Sequence, residues 1–334
     1  MRGFDPTFRD YPEYLNTVST AIWARRGLGQ AITGYCHDHL ILRRSEAIGF
    51  GQGPLRSEIM ELTAALPGLR TMPEDVIWSG TPQLGMLGSQ RMVLSGHHDG
   101  YGLFGAPTGQ RLRFRVMADL YAKDNRISDG WMVRDTGAVL RQLGIKVSDW
   151  SRDRLAAADP EFAPFRPEVD AVGPYTGRGN ANQWGAAFGA MISDLMQSEF
   201  SAIPEQYDPA ARLTYPGGKD VVGCGGAERF WLGLRAAFPS ARFEIHHQSG
   251  LEERQMPPRA ALRWSLSGGH DGWGGFGRPT GAEVHVMGIS HAEFGPGGLR
   301  REWTLFDETA VWMQIHSALG AGARRGHIPD LAAV

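Results

Sequence analysis

The chain contains an internal repeat, and this repeat constrains its fold more than any other feature of the sequence. Residues 95–109 read SGHHDGYGLFGAPTG and residues 267–281 read SGGHDGWGGFGRPTG, so that eleven of fifteen positions are identical at an offset of 172. Without a gap, the same offset also pairs Trp131 with Trp303. Glycine-rich composition alone would match some glycines, but not the histidine, the Pro-Thr-Gly triplet and the tryptophan in register. The sequence therefore predicts two copies of one domain.

Each copy shows helical patterns first and strand-like runs afterwards. Helices are predicted at residues 11–35 and 54–66 in the first copy, and at 182–203 and 227–237 in the second. Strands are predicted at residues 75–78, 91–96, 111–121 and 127–135, and at 242–248, 260–268, 283–294 and 299–307. Helices followed by an antiparallel meander are typical of an α+β domain, not of a parallel sheet with alternating crossovers.

The copies are separated by a proline-containing segment. We expect a first domain at residues 1–148, a linker at 149–178, a second domain at 179–322 and a C-terminal tail at 323–334, because Pro160, Pro164, Pro167 and Pro174 interrupt any continuous helix in the linker. Two related domains on one chain favour a pseudo-twofold pairing, like a homodimer made covalent, and further homo-oligomerisation stays open.

Composition excludes several classes of function. The chain has 34 basic and 36 acidic residues and no basic run, so neither a nucleic acid nor an anionic membrane is an expected partner. Cys36 and Cys224 stand far apart, and the histidines show no metal-ligand spacing, so no metal site is expected. No apolar stretch is long enough to span a bilayer, and the first residues lack a signal-peptide pattern. A cytoplasmic protein with a small-molecule substrate is expected.

The repeat resembles the SnoaL-like polyketide cyclase family, within the nuclear transport factor 2-like superfamily. The residues that carry the resemblance are the His-Asp-Gly and Phe-Gly-Ala-Pro-Thr-Gly segments at 98–109, the Met-Ala-Asp-Leu-Tyr run at 117–121, and Trp131 with Asp135. The resemblance implies a cone-shaped domain, in which a curved antiparallel sheet wraps around helices and encloses a pocket. Cyclases, isomerases, dehydratases, hydrolases and inert binding modules share this fold, so the fold alone does not assign the chemistry.

Asp119 is the leading candidate for a catalytic residue. Strand alternation puts it on the face opposite to the apolar residues of its strand, which by itself indicates a charged face and an ion pair with an arginine. The resemblance instead implies that Asp119 is the carboxyl group of the cone pocket, where low polarity suits an acid or base near neutral pH. A bulge in the strand would reconcile the two interpretations. At the equivalent position the second copy has His291, a competent acid or base that equally indicates a copy without activity.

His98 and His270 occupy equivalent positions before the Gly-Pro loop of each copy. Two roles stay open for them: holding the loop through a hydrogen bond, or orienting substrate and Asp119 at the pocket edge. Asp135 and Asp307 each precede a predicted helix, and capping of that helix is the simpler account of both.

Aromatic residues and an arginine complete the candidate site. Trp131 and Trp303 are candidates for the pocket wall or for the core, and Tyr101 and Trp273 for the pocket mouth. Arg43, if it lay in a pocket, would suit an anionic substrate, although a solvated arginine is the commoner case.

The sequence therefore predicts a cofactor-independent enzyme that acts by general acid/base catalysis on a small or medium carbonyl compound, as a cyclase of aldol type, an isomerase or a lyase. One alternative is a module that binds a hydrophobic ligand without transforming it, with either an occluded cone or Asp119 paired to Arg113 or Arg115. The other is a hydrolase whose pocket carboxylate activates water. Because the copies differ at Asp119 and His291, the first copy is the expected catalyst.

Overall fold

The structure, a computed structural model, describes residues 1–23, 29–158 and 164–325. The helices are α1 (Tyr11–Trp23), α2 (Gln30–Tyr35), α3 (Gly53–Ala65), α4 (Thr136–Gln142), α5 (Val147–Ala156), α6 (Gln183–Met196), α7 (Ala202–Gln206), α8 (Cys224–Ala237) and α9 (Glu308–Arg325). The strands are β1 (Cys36–Arg44), β2 (Ile48–Phe50), β3 (Arg70–Thr81), β4 (Gly85–His97), β5 (Arg111–Lys123), β6 (Arg126–Arg134), β7 (Tyr207–Tyr215), β8 (Lys219–Val222), β9 (Arg242–Leu251), β10 (Arg259–Gly269), β11 (Glu283–Gly295) and β12 (Gly298–Phe306).

The chain forms two tandem α+β domains whose sheets share one topology. The strand orders are β2-β1-β6-β5-β4-β3 and β8-β7-β12-β11-β10-β9. The predicted antiparallel meanders are confirmed as β3 to β6 and β9 to β12. β1 and β7 were not predicted; they pair parallel to β6 and β12 and make both sheets mixed.

Two predicted long helices have other bounds in the structure. Within residues 11–35 the structure describes α1 and α2, and residues 24–28 lie outside the described part of the chain. The helix predicted at 182–203 ends at Met196, because Ser198 adopts a left-handed backbone with φ 71° that a helix does not continue through. The start of the predicted linker is helical as α5, which packs on α9. Residues 159–163 of that linker and 326–334 of the predicted tail are outside the described residues.

Each sheet buries one face against its own helices. In α1, the buried residues Tyr11, Leu15, Val18 and Ile22 recur at helical spacing, and they pack with alternate residues of β5 in one apolar core. The core leaves little room inside the first cone, where an almost wholly apolar cavity measures about 40 Å³. That volume is enough for about one or two water molecules.

The two sheets pack on each other through the faces turned away from their helices. Met117 and Val133 of the first sheet form one apolar cluster with Met287, Ile289 and Leu305 of the second. The face of each sheet that is turned away from its helices is therefore an internal surface of the molecule, and a polar side chain on it lies between the domains.

Within the described residues, no helix is both long and apolar enough to cross a membrane.

Candidate functional site

Asp119 lies between the two domains and not inside the first cone. Its strand neighbours Val116 and Ala118 point into the core of the first domain, whereas Asp119 points to the opposite face. The expected bulge is absent, since β4 and β5 pair without a shift from end to end and the shift between β5 and β6 comes after Tyr121. The expectation of a carboxyl group in the cone is therefore wrong, and plain strand alternation gave the correct face.

A cavity of about 350 Å³ lies at this face of Asp119. We call it the inter-domain pocket. Its walls come from β1, β4, β5 and β6 of the first sheet, from β9 and β10 of the second, and from residues 170–178 of the connecting segment. The site thus needs both domains and the segment between them.

Asp119 faces an arginine of the second domain across this pocket. The carboxylate is 1% exposed, and neither oxygen has a hydrogen-bond partner among the described residues. Nη1 of Arg263 is 3.7 Å from Oδ2 of Asp119, which is an ion-pair distance but too long for a hydrogen bond. Asp119 is therefore paired with neither Arg113 nor Arg115, and its oxygens keep their capacity to accept a proton or a hydrogen bond.

Aromatic and imidazole rings line the pocket beside this pair. Trp131 lies 5.4 Å from the ring of His246 and 5.2 Å from the guanidinium carbon of Arg263. The hydroxyl group of Tyr175 lies 2.8 Å from Nε2 of His247. Burial lowers the pKa of His246, and it lowers the pKa of His247 to about 4, so both imidazoles are neutral at pH 7. Burial raises the pKa of Tyr175, so its phenol group stays protonated and able to donate.

Arg43 lines the pocket but is already neutralised. Its guanidinium donates to Asp129 at 2.6 Å, to Asp170 at 2.5 Å and to the carbonyl oxygen of Ala171 at 2.5 Å. These bonds tie the connecting segment to the first sheet. The expectation that Arg43 would attract an anionic substrate is therefore not favoured, because two carboxylates already balance its charge.

His291 and Trp303 belong to a second set of residues between the sheets, equivalent to the first at the offset of 172. The guanidinium carbon of Arg91 lies 3.5 Å from the ring centre of Trp303, and Nη1 of Arg91 lies 3.2 Å from Nδ1 of His291. Nε2 of His291 lies 2.8 Å from the hydroxyl group of Ser89. Burial, reinforced by Arg91, lowers the pKa of His291 well below its usual range. This set is closed, with both ring nitrogens of the histidine engaged.

The other residues predicted for the site are not in the inter-domain pocket. His98 and His270 are buried in their loops, with Nδ1 at 3.1 Å from Oγ1 of Thr108 and at 3.0 Å from Oγ1 of Thr280, respectively. The structure thus has the geometry of the loop-holding alternative. Tyr101 is 75% exposed and Trp273 is 69% exposed, so neither lines the mouth of the pocket.

The second cone contains a buried carboxyl group that the sequence analysis missed. Glu302 accepts hydrogen bonds from Tyr207 at 2.8 Å, from Tyr215 at 3.0 Å and from Thr304 at 2.6 Å. Burial raises the pKa of Glu302. The equivalent residue in the first copy is Gly130, so this network exists in one domain alone. Among the described residues, no cluster of three histidine, cysteine or carboxylate side chains is suited to a metal ion.

Arg263 and Tyr175 were also missed, for different reasons. Arg263 stands at the offset of 172 from Arg91, so the repeat itself contained a signal that both copies keep an arginine in this strand. Tyr175 lies in the segment that was interpreted as a connector, and nothing in its local sequence indicates that the segment covers a pocket.

Comparisons with known proteins give a family match for part of the second domain. The sequence profile of the SnoaL-like domain matches residues 188–303. No curated protein sequence matches the chain. Among solved structures, a protein from Jannaschia sp. CCS1, assigned as a SnoaL-like polyketide cyclase, is 17% identical, with a TM-score of 0.35 over 41% of this chain and 97% of its own. AclR from Streptomyces galilaeus, assigned as a hydroxylase, is 19% identical, with a TM-score of 0.34 over 39% of this chain and 92% of its own.

Proposed function

Because the SnoaL-like profile matches residues 188–303 and the two domains share one sheet topology, we propose that the chain is a cofactor-independent enzyme of cyclase, isomerase or lyase type. It acts by general acid/base catalysis on a small or medium carbonyl compound, and its site is the inter-domain pocket. The observation that carries this proposal is the carboxylate of Asp119, which is buried, accepts no hydrogen bond from the described residues and faces a cavity of about 350 Å³.

The first step common to these reactions is removal of a proton from the carbon next to a carbonyl group. Asp119 takes that proton, because its oxygens have no competing donor within hydrogen-bond distance among the described residues. Arg263 provides the positive charge that stabilises the enolate oxygen as it develops. Tyr175 is protonated and lines the same pocket, and in the tautomer of His247 whose Nε2 donates to the phenol oxygen at 2.8 Å, the O–H group of Tyr175 is the donor to the carbonyl oxygen. A positioned base of this kind contributes about 10²–10⁴-fold to a rate.

Proton abstraction is testable without the natural substrate. The protein is incubated in deuterated water with a panel of small β-keto esters and cyclic ketones, and exchange at the carbon next to the carbonyl group is followed by NMR. We expect exchange with the wild type and a loss of about 10²-fold or more in Asp119→Asn. Asp271→Asn, which removes an exposed carboxylate of the second domain, is the control and keeps the wild-type rate. Equal rates in wild type and Asp119→Asn would sink the assignment.

A non-catalytic ligand-binding protein is the second candidate. The observation in its favour is the first cone, whose cavity of about 40 Å³ has no room for a substrate. Such a protein binds members of the panel without exchange. A hydrolase that activates water is the third candidate, and incorporation of ¹⁸O from labelled water into the product distinguishes it from the acid/base enzyme.

A further inference from the structure

The two arginines between the sheets have different neighbours, although they occupy equivalent positions. Both sheets are bulged next to them: β3 carries Glu74 as the extra residue opposite Arg91, and β9 carries His246 as the extra residue opposite Arg263. A bulge at one place in both copies directs the side chain of the extra residue toward the arginine. The repeat therefore offers an internal comparison of the same arginine with and without an adjacent carboxylate.

In the closed set, which contains Arg91, His291 and Trp303, the carboxylate of Glu74 forms an ion pair with Arg91. Oε2 of Glu74 accepts a hydrogen bond from Nε of Arg91 at 3.0 Å, and the same carboxylate also pairs with Arg115 at 3.1 Å. The guanidinium of Arg91 thus has a carboxylate at hydrogen-bond distance, and its carbon lies 3.5 Å from the ring centre of Trp303. Nothing is left in this set for a ligand to bind.

In the inter-domain pocket, His246 occupies the position equivalent to Glu74, so the carboxylate of that position is absent. His246 is neutral and its Nε2 lies 2.8 Å from the hydroxyl group of Ser265. Nε of Arg263 has no hydrogen-bond partner among the described residues, and the nearest carboxylate is Asp119 at 3.7 Å. The position equivalent to Arg115 is Met287, so the second cation of the closed set is absent as well. The guanidinium of Arg263 is left with one distant countercharge in a half-enclosed site.

We propose that the substrate itself carries a carboxylate group, which pairs with Arg263 as Glu74 pairs with Arg91. The rest of the substrate packs against the rings of Trp131 and Tyr175, which both line the pocket. This inference rests on the proposed function, since it names the substrate class of the same pocket: a planar carboxylic acid that also contains a carbonyl group. A guanidinium with free donors is the side chain that recognises a carboxylate with two hydrogen bonds.

The pocket has the size for such a ligand. Its volume of about 350 Å³ lies at the lower end of the range of small-molecule sites. A bicyclic aromatic acid fits a space of this kind with its ring against the tryptophan. We therefore choose 2-naphthoate as the probe, and 2-naphthamide as its uncharged counterpart.

The experiment is calorimetric titration of the full chain with both probes. We expect wild type to bind 2-naphthoate more tightly than 2-naphthamide, and Arg263→Gln to bind 2-naphthoate about tenfold or more weakly. The sharper variant is His246→Glu, which supplies a carboxylate at the position of Glu74 and is expected to prevent binding of 2-naphthoate. His246→Gln is the matched variant of the same size without the charge, and it is expected to bind 2-naphthoate about tenfold or more tightly than His246→Glu does.

Each outcome decides the question. If wild type shows no preference for the acid, or if Arg263→Gln and His246→Glu bind 2-naphthoate as wild type does, the carboxylate class is overturned. Circular dichroism establishes that each variant is folded, and His246→Glu carries the test if Arg263→Gln is not. Binding does not depend on turnover, so Asp119→Asn separates the two proposals. If Asp119→Asn loses deuterium exchange but Arg263→Gln binds 2-naphthoate as wild type does, only the carboxylate inference is contradicted. If wild type binds 2-naphthoate selectively but catalyses no deuterium exchange, only the proposed function is contradicted.

Discussion

At the scale of single residues, the carboxyl group of Glu302 in the second cone accepts three hydrogen bonds from side chains of its own domain. Its three donors leave no oxygen free for a substrate, and its side chain is fully buried. This pattern is that of a residue which supports the core, because a buried polar group is stabilising only when its hydrogen bonds are complete. Asp119 has the opposite pattern, since it is buried and accepts no hydrogen bond from the described part of the chain, and this contrast favours Asp119 as the residue that carries the proposed chemistry.

Replacing Glu302 is therefore expected to affect stability. Glu302→Ala removes the acceptor of Tyr207 and Tyr215 and leaves their hydroxyl groups buried without a partner, at a cost of about 3 kcal/mol or more in the free energy of unfolding. Glu302→Gln keeps an acceptor oxygen and is the matched control, with a loss of about 1 kcal/mol. Urea denaturation followed by tryptophan fluorescence measures both. Equal losses in the two variants would contradict the role of the hydrogen bonds.

At the scale of elements, the repeated loop between β4 and β5 and its counterpart between β10 and β11 are built in the same way. In each, the carbonyl oxygen of the histidine accepts two backbone hydrogen bonds from the loop, and its Nδ1 lies near a threonine hydroxyl group. The histidine of the most similar segment of the two copies thus stabilises the loop in which it lies. Its conservation between the copies reflects a shared structural need.

His98→Ala and His270→Ala are expected to destabilise their loops to similar extents, by about 1–2 kcal/mol, because each removes a buried hydrogen bond between the imidazole and a threonine hydroxyl group. Amide hydrogen exchange at residues 98–110 and 270–282 reports the local effect. Deuterium exchange into the ketone panel is expected to be unchanged in both variants. A loss of that exchange in His98→Ala alone, at wild-type loop protection, would mean that His98 contacts the substrate.

The strands show how far local sequence determines structure here. Alternation along β5 gave the correct face for Asp119, since a strand has a fixed period of two. The sequence did not predict β1, whose residues pair in parallel with a strand more than eighty positions away. Nor did it predict that Tyr175 and Arg263 meet Asp119, because that contact depends on how the two sheets pack. The fold followed from the repeat, whereas the site required the arrangement of whole domains.

At the scale of the whole molecule, two equivalent aspartates, Asp135 and Asp307, accept hydrogen bonds from the other domain. Asp135 caps α4 by accepting the backbone N–H group of Ala138 at 3.0 Å, and it also accepts the backbone N–H groups of Gly217 and Gly218 in the second domain. Asp307 accepts the hydroxyl group of Thr136 of the first domain at 2.9 Å. The predicted capping by Asp135 is confirmed, and the same carboxylate is part of the contact between the domains.

These two carboxyl groups make the stability of the molecule depend on pH. Burial raises the pKa of Asp135 to about 6 and the pKa of Asp307 to about 7, above the value of about 3.9 in an unfolded chain. Well below about pH 3.9 both groups are protonated in the folded and in the unfolded chain, so that they do not lower the free energy of unfolding. As the pH rises from about 4 to about 7, the unfolded chain releases these protons and the folded chain retains them, so their contribution to stability falls.

Asp307→Asn is expected to remove this penalty, because an amide keeps the shape of the protonated acid and has no proton to lose. The free energy of unfolding of Asp307→Asn, relative to wild type, is expected to increase as the pH is raised from 4.5 to 7.5, by an amount on the order of 2 kcal/mol. Urea denaturation at intervals of half a pH unit measures the difference, in which the other titrating groups cancel. Asp271→Asn, which removes an exposed carboxylate, gives the baseline and is expected to stay level with wild type. If the curve for Asp307→Asn is equally level, then Asp307 ionises in the folded protein as it does in the unfolded chain, and its burial between the domains does not control their stability.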